Sequence, residues 1–424
     1  MNTNPTNTPV TTNSAVTSPI AELFPELLDA IFEWAYAGDL KKHAIFACSL
    51  VSSRWELLSR RQRFRKVWFC ISEELVDATD VRLWAAFIAS PAFTRVAPWI
   101  RQLVLKFGMY GDKRMHSGFL QVLPSLPQLH DLELHGIVRK RILPHPDHIP
   151  VDSLQKITRL AIVEVWVGHP DHGDYDPRTI CDLLSLFPST MELNIVEFSH
   201  PGIGVQPTYD WTRWSLPRPE VLVLECAELG VLLHTTRLSS RVQAVKWDAS
   251  SERKYNGPGL LEVVAPTLKF LDIVVRTSPH NLRHNSALRS ITLRGHKHGK
   301  RQWEQVAAIL CSLPHDSSLR SLYFSIRIDT SGGADVLYSV QCCLNAPSVE
   351  EIEATLVRQA TKGDLQDVVF EVERSHGEYF SAPKFFASLF PRLAELGVLK
   401  SSYHDLTFHI QPIVPSTASY VILD

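Results

Sequence analysis

The chain has 424 residues, 45% of them apolar, with 43 Lys and Arg against 45 Asp and Glu for a net charge of −2. That length exceeds one ordinary compact core and fits two domains or an elongated repeat array. The near-neutral balance excludes a general nucleic-acid binder, which needs a strong basic excess, and no apolar run approaches the roughly 20 residues of a membrane-spanning helix.

Residues 1–18, MNTNPTNTPVTTNSAVTS, carry no charge and no apolar run. They fit neither a secretion signal nor an anchor. Thr, Asn, Pro and Ser build no core, so residues 1–20 are expected to form a disordered tail. The seven cysteines are scattered and odd in number and make no CxxC. This usage points to a reduced intracellular chain, cytoplasmic or nuclear.

Residues 21–66 predict a helical module. Pro25 suits a first helical turn, where its missing N–H costs nothing. Glu26 and Asp29 favour the positive end of the helix dipole. Leu27, Leu28, Ile31, Phe32, Trp34 and Ala35 follow and occupy more than one narrow stripe at about 100° per residue. A short helix with apolar residues on two sides needs cover on both. Gly38 and Asp39 break the run; further helices are expected over roughly Lys41–Ser49 and Ser52–Arg61. Three short helices bury little surface alone. If four or five large side chains are left for a partner, docking them gains on the order of 10 kcal/mol gross.

The phrases LFPELLDAIFEWA and AIFACSLVSSRWELLSRRQRFRKV resemble an F-box, in the version found in fungal F-box proteins. The matching residues are Phe24-Pro25-Glu26-Leu27, then Cys48-Ser49-Leu50-Val51, Trp55 and Phe64; Leu23-Phe24 departs from the family's usual Leu before the proline. The resemblance implies docking onto the Skp-type adaptor of a cullin–RING ubiquitin ligase, with Pro25, Leu27, Leu28, Ile31, Leu50, Val51 and Trp55 as contacts or supports. The alternative is a helical cap on the next domain, with every apolar residue buried internally. The basic run from Arg54 to Lys66 reads as a solvated helix face.

From residue 64 one phrase recurs: apolar, two residues, apolar, one residue, apolar. It stands at Phe64/Val67/Phe69, Ile100/Leu103/Leu105, Leu129/Leu132/Leu134 and Ile157/Leu160/Ile162, then without its first member at Leu193/Ile195 and Leu222/Leu224. It resumes at Val242/Val245/Trp247, Leu268/Leu271/Ile273, Leu288/Ile291/Leu293, Leu319/Leu322/Phe324, Val349/Ile352/Ala354 and Leu393/Leu396/Val398. The last pairs alternate as in a half-buried strand, and the spacing is that of an irregular leucine-rich repeat. Proline stands five residues before the central member at Pro98, Pro127, Pro188, Pro217, Pro266, Pro347 and Pro391. At a proline frequency of about 5%, chance gives fewer than one such coincidence in these phrases. Each proline is expected at a helix-to-strand joint.

Helical spacing precedes several joints, at Phe119/Leu120/Leu123, Ile180/Leu183/Leu184/Phe187, Trp303/Val306/Ala307/Leu310 and Val336/Leu337/Val340/Leu344. The fold class expected is therefore an α/β repeat. A short three-helix F-box is followed, over 67–424, by an irregular leucine-rich-repeat-like solenoid with parallel strands on its concave face. Because the first strand phrase begins at Phe64, a junction without a flexible linker is expected.

Residues between two buried strand positions point the other way. The expected target-binding set is Glu133, His135, Asn194, Glu225, Lys246, Asp272, Arg294, Tyr323 and Glu353, with Asp131, Val163, Asp248, Ser325 and Thr355 beside them. The mixture suits a protein partner more than a phosphate chain; the alternative is a merely solvated face.

Chemistry signals are weak. HPDHIP (His145, Asp147, His148) and HPDHGDYD (His169, Asp171, His172, Asp174, Asp176) fit no compact zinc pattern and read as surface loops. GHKHGK at 295–300 is one residue short of a P-loop, and Arg301 stands where Ser or Thr belongs. GIG at 202–204 lacks its third glycine. Cys342-Cys343 reads as helix packing. No GxSxG, HExxH or paired-carboxylate constellation occurs, so neither catalysis, cofactor nor metal is expected. Three readings follow: an F-box receptor that docks the adaptor, through it a cullin, and a target protein; a repeat scaffold without a ligase role; and an α/β enzyme, for which no glycine-rich turn or catalytic cluster is found.

Overall fold

The computed structural model describes residues 24, 27, 28, 30, 31, 47, 49–71, 88–107, 122–136, 154–163, 178–196, 215–224, 238–248, 260–275, 280–295, 300–328, 346–374 and 382–405. The chain divides into two compact units, Met1–Arg65 and Lys66–Asp424. The tail at 1–20 and the loops at 145–148 and 169–176 lie outside the described residues, as do the helical stretches expected at 119–121 and 336–344 and the Cys342-Cys343 pair.

In the first unit residues 27, 28, 30 and 31 are helical, and the Phe24 carbonyl accepts from the Leu27 and Leu28 amides, both at 3.1 Å. Ala47 and Ser49 are also helical. Helix α1 (Ser53–Arg63) begins at Ser52, whose hydroxyl accepts from the Trp55 amide at 3.2 Å, satisfying one of the amides left free at a helix start. Glu56 and Arg60 pair across one turn of its exposed side at 2.5 Å.

The second unit is one parallel sheet of twelve strands among the described residues, each hydrogen-bonded to the next in chain order. The strands are β1 (Lys66–Ile71), β2 (Gln102–Phe107), β3 (Asp131–His135), β4 (Arg159–Val163), β5 (Glu192–Val196), β6 (Val221–Leu224), β7 (Ala244–Asp248), β8 (Phe270–Val275), β9 (Ser290–Gly295), β10 (Ser321–Ile328), β11 (Asp367–Arg374) and β12 (Leu399–Asp405). Between them stand helices α2 (Pro91–Val96), α3 (Arg178–Ser185), α4 (Leu260–Val264), α5 (Lys300–Cys311), α6 (Ala346–Thr361), α7 (Ala382–Leu389) and α8 (Pro391–Glu395). Parallel neighbours cannot be joined by a tight turn, so each pair needs a crossover long enough for a turn or helix.

The first ten phrases are the first ten strands. Their apolar pairs stack in register across the sheet: Leu132 beside Leu160, Leu160 beside Leu193, Leu193 beside Leu222. These side chains are fully buried, whereas Glu133, Asn194 and Val223 between them are only half-buried. One face is covered and the other is more open, with Tyr323 exposed and Glu133, Asn194 and Val223 half-buried, although Val104, Asp131, His135, Ala161 and Val274 on it are also buried. The covered face joins a single core that runs from Val67 to Leu393.

The same device opens nine strands. Two successive amides donate to one carbonyl of the preceding unit: His130 and Asp131 to Arg101, Thr158 and Arg159 to His130, and so on to Gln366 and Asp367 on Arg320. Prolines 127, 188, 217 and 266 stand shortly before four of these entries and Pro98 before β2, and none of the five falls within a strand. Side chains tie consecutive turns together. Lys156 Nζ donates to the Leu123 and Leu126 carbonyls at 2.9 and 2.5 Å. Asn285 Nδ2 reaches the Leu261 carbonyl at 3.2 Å.

The last two phrases are not strands. Val349/Ile352/Ala354 lies in α6, where Val349 and Ile352 are buried and Ala354 is exposed. Its Ala, Glu, Leu, Gln and Arg favour a helix, and Pro347 fits the first turn. Leu393 lies in α8, which Pro391 opens, and Leu396 follows its end. The strands there are β11 and β12, reached through Gly363 and Gly397 at φ +89° and +70°. Each glycine ends a helix in the left-handed conformation that other residues adopt at a cost. Around β11 the core becomes aromatic: Phe370 stacks on Phe324 and Phe386, both at 4.4 Å, and on Phe390 at 5.0 Å.

Candidate functional site

Two surfaces carry the residues that the sequence marks for binding. In the first unit Leu28 is fully buried and Trp55 half-buried. Leu27, Ile31, Leu50 and Val51 remain 52%, 47%, 74% and 61% exposed, and Phe24 and Leu57 are exposed with them. Ser52 positions the start of α1, and Leu57 and Leu58, about 100° apart around it, are one open and one buried. Pro25 lies outside the described residues.

In the second unit the register gathers Glu133, Asn194, Lys246, Asp272 and Tyr323 into one row on the open face. The row passes from Trp68 through Val104, Glu133, Ala161, Asn194, Val223, Lys246, Asp272 and Thr292 to Tyr323. His135 and Arg294 stand two residues further along their strands, on the same face. Arg294 pairs with Asp272 of the neighbouring strand. Glu225 lies outside the described residues. Glu353 belongs to α6, not to the sheet, and its carboxylate accepts from the Arg392 amide at 2.8 Å at the start of α8. Thr355 is likewise helical and buried, 3.5 Å from Cys311 Sγ. Both were expected on the binding face because a helix and a strand share the spacing of that phrase.

At the β1–β5 end the open face is a network of charge. Gln102 Nε2 donates to Asp131 Oδ2 at 2.6 Å; Arg159 reaches Asp131 at 3.4 Å and Glu192 at 2.9 Å. Glu133 Oε1 and His135 Nε2 lie 2.5 Å apart, and the His135 ring lies 6.4 Å from that of Trp68. The Lys66 ammonium sits 5.3 Å from the Trp68 ring, a cation–π distance. Burial pushes the Asp131 carboxyl up, against the opposing pull of Arg159 and Lys66. Burial also acts to raise Glu133, but the His135 hydrogen bond and the charges of His135, Lys66 and Arg159 together hold it below its usual range. Burial lowers Lys66, with Glu133 and Asp131 working against the shift.

Sequence reasoning left Lys66, Trp68, Gln102, Arg159 and Glu192 out of the binding set. A signal was present: Lys66, Gln102, Asp131, Arg159 and Glu192 each stand one place before the central apolar residue of a phrase. Three polar atoms in the central row, Trp68 Nε1, Asn194 Oδ1 and Asp272 Oδ1, are buried and have no hydrogen-bond partner. One donor and two acceptors left unpaired and out of reach of solvent are costly to the fold. The arrangement suits recognition by hydrogen bonds and ion pairs on a stiff surface. Among the described residues no group of three or more His, Cys, Asp or Glu is placed to hold a metal ion, and no helix is long and apolar enough to cross a membrane.

No protein-family model matches the chain, and no curated protein matches it.

Proposed function

We propose that the chain is a substrate-receptor subunit of a cullin–RING ubiquitin ligase. Its N-terminal F-box-like helices dock a Skp-type adaptor and through it a cullin. Its repeat domain, a leucine-rich-repeat-like solenoid with the open sheet face on its concave side, holds a target protein. The observation that carries the reading is the exposure of Leu27, Ile31, Leu50 and Val51, four of the residues that the F-box resemblance assigns to the adaptor. Covering a side chain that is already half-buried returns about 1 kcal/mol, so four such residues supply a useful share of a docking energy. The row of polar and aromatic side chains on the sheet, with Tyr323 exposed at its end, supports a binding role for the repeat domain. The chemistry then belongs to the partner enzyme, in the cytoplasm or nucleus, and this chain supplies proximity.

Co-purification of the full chain with a Skp-type adaptor tests the reading. Stoichiometric capture is expected, lost in Leu27→Asp and in Ile31→Asp while circular dichroism stays that of the parent. A folded chain that captures no adaptor leaves the scaffold reading in its place.

A further inference from the structure

Neighbouring strands of the sheet pair their charges at both ends. In β1–β5 the strands open on Lys66, Gln102, Asp131, Arg159 and Glu192 in register, and Arg159 bridges Asp131 and Glu192. Just before β8, β9 and β10 stand Lys269, Arg289 and Arg320. The Arg289 amide donates to the Lys269 carbonyl at 2.8 Å, and the Arg320 amide to the Arg289 carbonyl at 2.7 Å. Three cations thus stand at the entries of successive strands, which lie about 4.8 Å apart. Among the described residues Arg289 and Arg320, both exposed, meet no side-chain hydrogen-bond or ion-pair partner; Lys269 Nζ meets the neutral Gln243 Oε1 at 2.9 Å. The acids near in sequence do not neutralise them. Among the described residues Glu262, Asp316 and Asp364 are exposed and form no ion pair, while Asp272 is paired with Arg294 and Asp367 with Lys400. Like charges side by side in a sheet repel. Among the described residues these three are left without an acidic partner although neighbouring strands pair their charges, Asp272 with Arg294 and Asp367 with Lys400.

Phe270, which follows Lys269, is 49% exposed. Two strand spacings, about 10 Å, equal the length of about three extended residues. We propose that the edge formed by Lys269, Arg289 and Arg320 docks an acidic segment of a partner protein, a short run of Asp and Glu with an apolar residue that covers Phe270. The site deepens the function proposed above and rests on it, because the acidic segment belongs to the target. A nucleic acid fits less well. The chain carries no net positive charge, and three cations beside an exposed phenyl ring offer a phosphate backbone few contacts.

The test is fluorescence anisotropy with a labelled decapeptide of mixed glutamate and aspartate containing one leucine, titrated with the full chain, with adaptor capture measured on the same preparations. The double variant Arg289→Glu/Arg320→Glu is expected to weaken binding by about tenfold or more. The parent is expected to lose affinity as salt rises from about 0.05 to about 0.5 M. Arg95→Glu, an exposed cation on α2, is expected to bind as the parent does. Arg289→Gln/Arg320→Gln gives the same direction of effect if the reversed pair fails to fold. Equal affinity in the parent and the neutral double variant overturns the site, as does stronger binding of an oligonucleotide of the same charge. Adaptor capture without peptide binding overturns the acidic site alone. Peptide binding as expected, without adaptor capture, supports the basic edge and overturns the ligase reading.

Discussion

Replacing Phe370 with alanine tests the part of the sheet that the repeat phrase misplaces. Phe370 is fully buried, and its ring contacts three others at 4.4, 4.4 and 5.0 Å. Phe→Ala substitutions in a core cost about 3–5 kcal/mol, the spread depending on how far the site collapses. Collapse here is opposed from both sides, because Phe324 lies on the neighbouring strand β10 and Phe386 on α7. The expected loss is therefore in the upper half of that range. Phe370→Leu keeps most of the apolar volume and loses the stacking, worth about 0.5–1.5 kcal/mol per ring pair. Stability in a repeat array is local, so the loss concentrates in β10–β12. Hydrogen exchange resolved by segment is the assay. Amides of β10, β11 and β12 are expected to lose protection in Phe370→Ala, while those of β3–β6 keep it. If Phe370 were a loop residue, as a strand at 349–354 would make it, the substitution would cost under about 0.5 kcal/mol. A cost that small, or a loss of protection spread evenly over all strands, refutes the packing described here.

Three further outcomes are expected. Glu353→Ala removes the acceptor at the start of α8 and costs about 0.5–2 kcal/mol, read in urea unfolding, with target capture unchanged because the residue is not on the open face. Lys156→Met leaves the Leu123 and Leu126 carbonyls without their donor and costs about 1–3 kcal/mol in the same assay. Acid stability separates two neighbouring carboxylates. Glu133 is held below its usual range when folded, so its contribution is present above about pH 4.5 and disappears as pH falls through the folded value. Asp131 is raised by burial, so the folded state holds that proton more tightly and gains relative stability as pH falls. Glu133→Gln is therefore expected to flatten the fall in urea midpoint from about pH 7 to about pH 3, and Asp131→Asn to steepen it. Two variants that shift in the same direction contradict this assignment of the pair.

Much of the architecture is legible along the chain. A strand between a variable loop and a turn must alternate apolar and polar residues if one face is covered, and ten phrases do so. Proline cannot donate to a ladder, so its recurrence before the strands marks the joints. The row of Glu133, Asn194, Lys246, Asp272 and Tyr323 follows from the same alternation, since a parallel register brings equivalent positions side by side. The apolar surplus at Leu27, Ile31, Leu50 and Val51 is equally visible, because a short module has too little interior for so many large side chains.

Other features depend on contacts that no local pattern contains. Apolar residues at i, i+3 and i+5 suit a strand entry or a helix turn, and at 349–354 helix propensity and packing against α5 decide for the helix. That choice moved Glu353 from the binding face to the cap of α8, and moved the eleventh strand to the Phe370 segment. Which charges meet is also a tertiary matter. Lys66, Asp131 and Arg159 are remote in sequence, and only the parallel register sets them side by side, as it does Lys269, Arg289 and Arg320. Sequence by itself determined which residues alternate, which break a helix and which are too greasy to stay uncovered. The tertiary structure decided which equal-looking segments became strands and which charges were left unanswered, because pairing energy comes from neighbours distant along the chain.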